Sequence, residues 1–329
     1  MELSGKKVVL TGATGYLGRA IVEMLLKKGC RVRCLVRNYM AAKQVFDDRV
    51  EVVEYDLDNT QKLRAVLSGF EVVIHCAAVH HRKYYDAEAL LRVNVEGTRH
   101  VIQALGSIDA FVHISSIRSI MNEHVSVIDE NTNYDYSKHD SPYGFSKYQA
   151  EKICLEYFNS NEFPLFILNP APIIGPNDNG PSLNGKMILD HIGRKIEFFT
   201  DALWPIVDVR DVANAVAFVM EKGRMGERHV LCSDTLRLRD FYGLIDELSN
   251  QKKIYIRVPH DCLELAGRAF EILEKIYPKF DPPITPSGVN TVRLMTSFSG
   301  DKMRRMGFVY RSPRETLQDA VQWFLRTLD

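Results

Sequence analysis

The pattern of apolar and polar positions in the first half of the chain switches repeatedly between two periods. Short apolar runs predict strands, and longer stretches with apolar residues three or four positions apart predict helices. The predicted strands are Lys7–Leu10, Arg31–Val36, Val50–Glu54, Val72–His75, Ala110–Ile114 and Leu165–Leu168. The predicted helices are Tyr16–Lys28, Lys62–Leu67, Ala87–Ala104 and Pro142–Asn159. This alternation predicts βαβ units, and therefore an α/β fold with a doubly wound parallel sheet and helices on both faces.

The pattern changes near residue 170. Prolines and glycines cluster there, which predicts a loop-rich stretch that leaves the sheet. The remaining part is mixed and mostly helical, with a helix predicted at Val209–Glu221 and a last one at Arg314–Thr327. We predict a sheet domain at 1–169 and a smaller part at 170–329, of which about 207–235 returns to the sheet domain.

Composition excludes several classes of protein. Hydrophobic residues make up 46% of the 329 residues and charged residues 26%, an ordinary globular balance. The 42 basic residues equal the 42 acidic ones, so we expect no general attraction to nucleic acid or to an anionic membrane. We expect neither a secretory leader nor a transmembrane helix, since no sufficiently long apolar stretch occurs. The six cysteines form no CxxC pair, so we expect no metal, no disulfides and a reducing, cytoplasmic location.

A glycine-rich turn, TGATGYLG (Thr11–Gly18), directly follows the first strand and opens the first helix. Backbone N–H groups at the start of a helix bind a pyrophosphate when no side chain keeps it away. Gly12 permits the tight turn, Gly15 lets the ligand approach, and Gly18 lets the helix pack on the sheet. The strand–turn–helix context predicts a dinucleotide site, against the alternative of a turn that is glycine-rich for packing alone.

The end of the second strand indicates which dinucleotide binds. An Asp or Glu there would accept hydrogen bonds from the ribose hydroxyl of NAD, and Cys34–Asn38 contains neither. Arg37 offers a charged fork to a 2′-phosphate instead, with help from Lys43, so NADP(H) is favoured and NAD(H) stays possible. The alternative is that Arg37 is a solvated surface residue.

Further positions complete the predicted cofactor site. Asp56 and Leu57 follow the third strand, where the chain meets the adenine edge, and Ala77 and Ala78 follow the fourth strand with small side chains. The predicted set from this half of the chain is Gly12, Thr14, Gly15, Tyr16, Leu17, Gly18, Arg37, Asp56, Leu57, Ala77 and Ala78.

Tyr143 and Lys147 stand four residues apart in a predicted helix, and therefore on one face of it. The reference pKa of tyrosine, about 10, makes it a poor acid or base at neutral pH, but a nearby cation favours the phenolate. Tyr143 is then able to exchange a proton with a carbonyl or carbinol oxygen. Ser115 and Ser116 follow the fifth strand, at the sheet edge where ligands bind. We favour Ser116 as the residue that orients the substrate oxygen, and Ser115 stays open.

These motifs together resemble those of the extended short-chain dehydrogenases/reductases, a family that includes nucleotide-sugar epimerases, dihydroflavonol reductases and 3β-hydroxysteroid dehydrogenases. The matching stretches are TGATGYLG (11–18), HCAA (75–78), NVEGT (94–98), HISS (113–116), YGFSK (143–147), NPAPIIGP (169–176) and VDVRDVANA (207–215). The resemblance covers nearly the whole chain. It implies a Rossmann-type NADP-binding domain followed by a substrate-binding part.

The resemblance also implies roles for individual residues. Tyr143 is implied as the catalytic acid/base, and Lys147 as the residue that binds the nicotinamide ribose and lowers the pKa of the tyrosine. Ser116 is implied to orient the substrate. Pro170 and Ile173 are implied to lie near the nicotinamide.

Within the enzyme class, three chemistries compete. Dehydratases of this family carry an Asp-Glu pair just after the catalytic serine or threonine, where this chain has Ile117-Arg118, so elimination of water is disfavoured. Segments 282–286, 298–303 and 306–308 resemble the hydroxysteroid and dihydroflavonol branch. We therefore predict an NADP(H)-dependent oxidoreductase that reduces a ketone or aldehyde, or oxidises a secondary alcohol. The alternatives are a nucleotide-sugar epimerase with tightly held NAD and a non-catalytic dinucleotide sensor, which would not need the whole catalytic set.

The substrate is predicted to be a largely apolar small molecule, because paired basic groups for a sugar-nucleotide diphosphate are not expected in the C-terminal part. Asp261–Ile284 predicts an amphipathic helix and a proline turn that cover the site as a flap. Its apolar residues, some of them expected to be core, are Leu263, Leu265, Ala266, Ala269, Phe270, Ile272, Leu273 and Ile276. A homodimer is possible, and neither the substrate's identity nor the physiological direction follows from the sequence.

Polar residues near the predicted site have both structural and functional interpretations. His80 and His81 are expected to be loop histidines without a metal, since adjacent side chains diverge. Asn94 either supports a water or backbone bond near the site or packs its helix. Asn169 departs from the family pattern, in which Arg often precedes the following proline, so no contact is assigned to it.

Residues of the C-terminal part are ambiguous in the same way. Trp204, Phe198 and Phe199 either line the substrate pocket or belong to the core. Asp208 and Asp211 are expected to cap a helix rather than to catalyse.

Overall fold

The computed structural model describes residues 1–55, 60–80, 87–135, 141–161, 163–277, 289–290, 292–293 and 296–328. Through residue 170 its elements are β1 (Lys7–Thr11), α1 (Tyr16–Lys27), β2 (Arg31–Val36), α2 (Tyr39–Phe46), β3 (Glu51–Glu54), α3 (Thr60–Leu67), β4 (Val72–His75), α4 (Ala87–Leu90), α5 (Gly97–Ala104), β5 (Ala110–Ile114), β6 (Val127–Ile128), α6 (Pro142–Asn161) and β7 (Leu165–Pro170). The remaining elements are β8 (Ile173–Ile174), α7 (Leu183–Gly193), β9 (Ile196–Phe199), β10 (Leu203–Asp208), α8 (Val209–Lys222), β11 (Arg228–Leu231), β12 (Asp234–Arg237), α9 (Leu238–Ser249), β13 (Ile254–Arg257), α10 (His260–Ile276), β14 (Ser297–Phe298), α11 (Asp301–Arg305) and α12 (Pro313–Leu328).

Seven strands form one parallel sheet in the order β11-β7-β5-β4-β1-β2-β3. Leu10 at the centre pairs with Cys34 on one side and with Ile74 on the other. The strand order reverses between β1 and β4, and ligands of open α/β sheets bind at the carboxyl ends of the strands at such a point. The prediction of a doubly wound, Rossmann-type α/β fold is confirmed.

Apolar side chains cover both faces of the sheet, because neighbouring residues of a strand point to opposite faces. Leu10 packs in a cluster with α1 and α8, which includes Ile21 and Val212. Val9 faces the other way, into a second cluster with α3, α5 and α6 that includes Leu63 and Cys154. Burial on both sides explains why these strands have continuous apolar sequences rather than alternating ones.

A third apolar cluster holds the C-terminal elements together. It joins Ile188 of α7, Trp204 of β10, Phe241 of α9 and Phe324 of α12. Trp204 is 7% exposed, so it belongs to this cluster, one of its two interpretations. The strand β11 instead lies beside β7 in the large sheet, and α8 packs against α1. The division at residue 169 stays a prediction.

A buried histidine ties four of these C-terminal elements. His191 Nδ1 lies 2.7 Å from Glu197 Oε2, and its Nε2 lies 2.9 Å from Asp246 Oδ1. The ring is fully buried and stacks on Tyr242. Asp246 also accepts a hydrogen bond of 2.6 Å from the Tyr255 hydroxyl. The cluster connects α7, β9, α9 and β13 through charged groups that solvent does not reach.

Two elements differ from the sequence prediction. The predicted helix Ala87–Ala104 is interrupted by a π-helical turn at Leu91–Glu96, which adds a residue to the turn and places Asn94 inside, 2% exposed. Such turns occur frequently at functional sites. The helix α2 was not predicted; Asn38 caps it, accepting a hydrogen bond from the backbone N–H of Ala41 at 3.0 Å.

Candidate active site

The glycine-rich turn between β1 and α1 lies at the reversal of the strand order. Gly12 has φ +72°, and a Cβ there would lie 2.7 Å from the backbone nitrogen of Ala77. A Cβ on Gly18 would overlap the carbonyl of Gly12. Gly12 therefore lets the turn approach the residues after β4, and Gly18 lets the start of α1 pack against the turn itself.

Gly15 differs from these two glycines, because it leaves the front of the turn open. It is exposed and is the N-cap residue of α1, with no side chain capping the helix. Its φ is −69°, and a Cβ would meet only the Gly12 carbonyl, at 3.3 Å. The first N–H groups of a helix lack partners within the helix, and here glycine keeps their surroundings clear. The turn thus fits a dinucleotide pyrophosphate.

The other residues of the turn have individual environments. Thr14 is partly exposed, and its carbonyl accepts a hydrogen bond from Arg19 Nε at 2.9 Å. Leu17 is buried in the cluster against α8. Tyr16 is partly exposed, but its hydroxyl is buried without a hydrogen-bond partner among the described residues, and burial raises its pKa.

Arg37 follows β2 and is exposed. Within the part of the chain that the structure describes, its guanidinium makes no hydrogen bond, so it is available to an anion. Lys43 Nζ lies 2.7 Å from Asp48 Oδ1 at the surface, and its help at a 2′-phosphate stays a prediction. Asp56 and Leu57, predicted to meet the adenine, lie outside the described residues.

A chain of hydrogen bonds fixes the backbone after β4. Thr98 Oγ1 donates to the Asn94 carbonyl at 2.7 Å, so it accepts from His75 Nε2 at 3.0 Å. His75 Nδ1 is then the acceptor for Thr11 Oγ1 at 2.8 Å, and Thr11 accepts in turn from the Ala77 N–H at 3.2 Å. Burial lowers the pKa of His75 to about 3, so the ring is neutral, as this arrangement requires. Ala77 is half-buried, and Ala78, which follows it, is exposed.

Tyr143 and Lys147 lie in the first two turns of α6, beside the end of β5. The hydroxyl of Ser116 lies close enough to the phenol of Tyr143 to lower its pKa. Lys147 is 3% exposed, and its Nζ donates to the carbonyl of Ile114 at 2.7 Å. The three predicted catalytic side chains are therefore brought together at the carboxyl edge of the sheet.

Burial shifts the pKa values of both ionisable groups. It raises the pKa of Tyr143 to about 12, although the neighbouring Ser116 hydroxyl and the positive charge of Arg118 lower it. It lowers the pKa of Lys147 to about 8, because the ammonium is costly to bury. Arg118 is 5% exposed and is a cationic neighbour of the phenol that the sequence analysis did not assign. From the sequence, this position indicates only that the Asp-Glu pair of dehydratases is missing.

Ser115 points away from this group, into a separate buried network. Its Oγ lies 2.6 Å from Glu151 Oε2. The same carboxylate accepts hydrogen bonds from Ser119 at 2.7 Å and from Asn169 Nδ2 at 2.8 Å, and it pairs with Arg228. Asn169 stands where the family often has an arginine, and its amide donates to Glu151. The guanidinium that pairs with this carboxylate belongs to Arg228 in β11.

Asn94 connects the loop after β4 to the catalytic helix. Its side-chain amide accepts from the Val79 N–H at 2.8 Å and donates to the Val79 carbonyl at 3.0 Å. It also donates to Ser146 Oγ at 2.9 Å, and Ser146 donates to the carbonyl of Tyr143 at 2.8 Å. Asn94 therefore makes backbone bonds near the site. His80 follows Val79, and its ring centroid lies 4.2 Å from that of Tyr143. His81 lies outside the described residues.

Pro170 lies at the carboxyl end of β7 and Ile173 just beyond it, at the edge of the sheet that carries the glycine-rich turn. Pro170 is the buried last residue of β7, and Ile173 is partly buried in β8. Asp208 caps α8 through a hydrogen bond of 2.8 Å from the Arg210 N–H, while Asp211 binds Arg311.

The helix predicted to cover the site is present as α10, but five of its eight predicted apolar residues are exposed. Leu263, Ala266 and Phe270 are half-buried, whereas Leu265 and Ile276 are 74% and 61% exposed. The proline turn that follows lies outside the described residues. The structure therefore describes the helix of the predicted flap but not its proline turn, and most of the helix's apolar residues are exposed.

Three absences concern only the residues that the structure describes. Among them, no group of three His, Cys, Asp or Glu residues is placed to bind a metal ion. No helix within those ranges is long and apolar enough to cross a membrane. Each cysteine is free, and Cys262 is exposed.

Comparison with known proteins identifies the family. The sequence profile of the NAD dependent epimerase/dehydratase family matches residues 8–232. The chain belongs to this family. It is an NAD(P)-dependent enzyme of the extended short-chain dehydrogenase/reductase type, as the motifs predicted.

Members similar to this chain along its length include sterol demethylase protein B of Methylococcus capsulatus, 30% identical over 96% of this chain and 97% of that protein. A putative dihydroflavonol 4-reductase of Synechocystis is 27% identical over 96% and 93% of the two chains. The crystal structure of gox2253 superposes with a TM-score of 0.84 and is 27% identical, covering 98% and 99%.

Family members of both chemistries match the chain. A 4-hydroxy-2-methyl-3-oxo-4-farnesyl-3,4-dihydroquinoline-1-oxide ketoreductase of Stigmatella aurantiaca is 26% identical over 96% of each chain. An N-acetyl-α-D-glucosaminyl-diphospho-ditrans,octacis-undecaprenol 4-epimerase of Escherichia coli O157:H7 is 27% identical over 92% and 90%. The family therefore contains both reductases and epimerases among the relatives of this chain.

Proposed function

We propose that this chain is an NADP(H)-dependent oxidoreductase that reduces a ketone or aldehyde, or oxidises a secondary alcohol, on a largely apolar small molecule. The observation that carries the proposal is the meeting of Ser116, Tyr143 and Lys147 beside the open glycine turn. A protein that only sensed a dinucleotide would not need a hydroxyl, a phenol and an ammonium at that edge.

The catalytic work is divided among these three side chains. Tyr143 gives a proton to the substrate oxygen in reduction and takes it back in oxidation. Ser116, a neighbour of the phenol, holds the same oxygen. Arg118 supplies positive charge that favours the phenolate against the effect of burial. Lys147 is proposed to add to this effect, as the family resemblance implies. The nicotinamide, when bound, supplies or accepts the hydride.

The cofactor site uses the residues around the strand-order reversal. Gly12, Gly15 and the uncapped start of α1 receive the pyrophosphate. Arg37 receives the 2′-phosphate, which favours NADP(H) over NAD(H). Lys147, Pro170 and the residues of β8 form the nicotinamide end.

The apolar character of the substrate is supported by the relatives' names and by the chain itself. Those names include a sterol, a dihydroflavonol and a farnesyl quinoline.

Ile117 and Arg118 stand where elimination chemistry needs an acid and a base. An epimerase remains the second candidate, because one relative is named as the 4-epimerase of a sugar linked to undecaprenol. That chemistry uses the same Tyr and Lys.

The test compares two substrate classes in the presence of NADPH. Hydrophobic ketones and aldehydes should accelerate NADPH oxidation and raise the melting temperature of the protein. UDP- and GDP-sugars should do neither. Stabilisation by the sugars alone would transfer the assignment to the epimerase, and tight NADPH binding with no turnover on a broad carbonyl panel would favour a sensor.

A further inference from the structure

The small sheet of β9 and β13 carries an exposed apolar face. The register pairs Ile196 with Ile254 and Phe198 with Ile256. Alternate residues of a strand point to the same side, so these four side chains share one face, which we call the apolar sheet face. All four are exposed, by 43%, 63%, 56% and 41% in the order just given. Apolar side chains grouped in this way mark an interaction surface more often than scattered ones do.

The opposite face anchors this sheet to the protein. Glu197 is buried there against His191, and Tyr255 donates to Asp246. Arg239 lies over the Tyr255 ring, 3.4 Å from its centroid. The apolar sheet face is therefore presented outward by a rigid support, not by a loosely packed segment.

Positive charge lies at one end of the apolar sheet face. Lys195 immediately precedes β9, and Lys252 stands two residues before β13; both are exposed. Because the strands are parallel, their starting ends lie together, and so do these lysines. Glu197, the acidic residue within these two strands, is 3% exposed and faces the other side. The whole chain has no net charge, but this end of the apolar sheet face carries local positive charge.

The helix α10, which follows β13 after two residues, also presents apolar side chains to solvent. Leu265, Ile272 and Ile276 are exposed by 74%, 59% and 61%. Their spacing of seven and four residues places them on one side of the helix. Of the three apolar clusters found among the described residues, none includes a residue of α10.

We propose that the apolar sheet face, with the outward side of α10, docks on the headgroup region of an anionic lipid membrane. A membrane accepts separate apolar side chains without shape complementarity, and anionic headgroups complement the two lysines. A second copy of the chain is the alternative occupant, and the test below distinguishes it from a membrane. The inference goes beyond the proposed reaction and does not depend on which carbonyl is reduced.

The test is co-sedimentation of the full chain with vesicles of phosphatidylcholine plus phosphatidylserine, and with vesicles of phosphatidylcholine alone. Wild type should bind the mixed vesicles better, and salt should weaken that binding. The double variant Phe198→Ser/Ile254→Ser should lose binding to both. Lys195→Gln/Lys252→Gln should lower binding to the mixed vesicles alone, by about five-fold per lysine.

Met225→Ser serves as the matched control, because Met225 is 52% exposed and lies outside this surface. It should bind like wild type, and all variants should keep the melting temperature, since the changed side chains are exposed. The proposal is overturned if wild type sediments with neither vesicle, or if the apolar double variant binds unchanged. It is equally overturned if light scattering finds a wild-type dimer that this variant converts to monomer. None of these measurements uses turnover, so they leave the proposed reaction untouched.

Discussion

Gly15→Ala should separate cofactor binding from folding, because this glycine has a backbone that alanine tolerates. Its φ of −69° and ψ of 166° lie in the extended region, and the added Cβ would meet only the Gly12 carbonyl, at 3.3 Å. Alanine is a poorer N-cap than glycine, so the free energy of unfolding should fall by about 1 kcal/mol or less. That loss corresponds to a few degrees in melting temperature.

The effect on the dinucleotide should be much larger. The methyl group would stand at the open front of the turn, where the pyrophosphate is expected to approach the N–H groups of α1. Loss of one charge-assisted hydrogen bond, about 1.5–3 kcal/mol, weakens binding roughly ten- to hundred-fold. Fluorescence titration with NADPH measures this dissociation constant, and urea unfolding measures the stability of the same preparation.

Gly5→Ala is the control with the opposite expected pattern. Gly5 has φ +77° and nothing within 4 Å of a built Cβ, so the substitution strains the backbone without touching the turn. It should cost about 1–2 kcal/mol of stability and leave NADPH affinity unchanged. NADPH binding to Gly15→Ala at wild-type affinity would refute the placement of the pyrophosphate on this turn.

Three further substitutions probe the charged groups. Arg37→Ala should remove most of a ten- to hundred-fold preference for NADPH over NADH, and equal affinities in the wild type would contradict the assignment. Lys147→Met should reduce turnover and NADPH affinity without lowering the melting temperature. The reason is that burial lowers the pKa of this ammonium to about 8, below its unfolded value, so its charge opposes folding at neutral pH. His191→Leu should cost about 3–5 kcal/mol in urea unfolding, since it leaves Glu197 and Asp246 buried without their shared partner; a loss under about 1 kcal/mol would show the cluster to be dispensable.

Much of the sheet domain could be predicted because its signals are local. Apolar runs, the helix periods and the TGATGYLG turn each depend on neighbouring residues, and the structure places them where the pattern indicates. The π-helical turn around Asn94 was not predicted, because it depends on contacts with Val79 and Ser146, at least 15 residues away. A single unbroken helix is what local periodicity favours there.

The candidate site divides in the same way. The i, i+4 spacing of Tyr143 and Lys147 follows from the sequence, and so does their place beside Ser116 once a parallel sheet is assumed. Sequence could not decide between the two serines, since the answer depends on Glu151, a buried carboxylate 36 residues beyond Ser115. Arg118 was missed as a neighbour of the phenol for the same reason: its burial is a tertiary property.

The most direct test of the proposed mechanism is the steady-state turnover of Tyr143→Phe on a carbonyl that the wild type reduces, measured beside its NADPH affinity. The variant keeps the ring that packs against His80 and removes only the hydroxyl that neighbours Ser116. We predict that kcat falls by at least a hundred-fold, the lower range for general acid–base catalysis, while the NADPH dissociation constant and melting temperature stay close to those of wild type. Turnover at the wild-type rate, with NADPH bound normally, would contradict the role of Tyr143 as the proton donor.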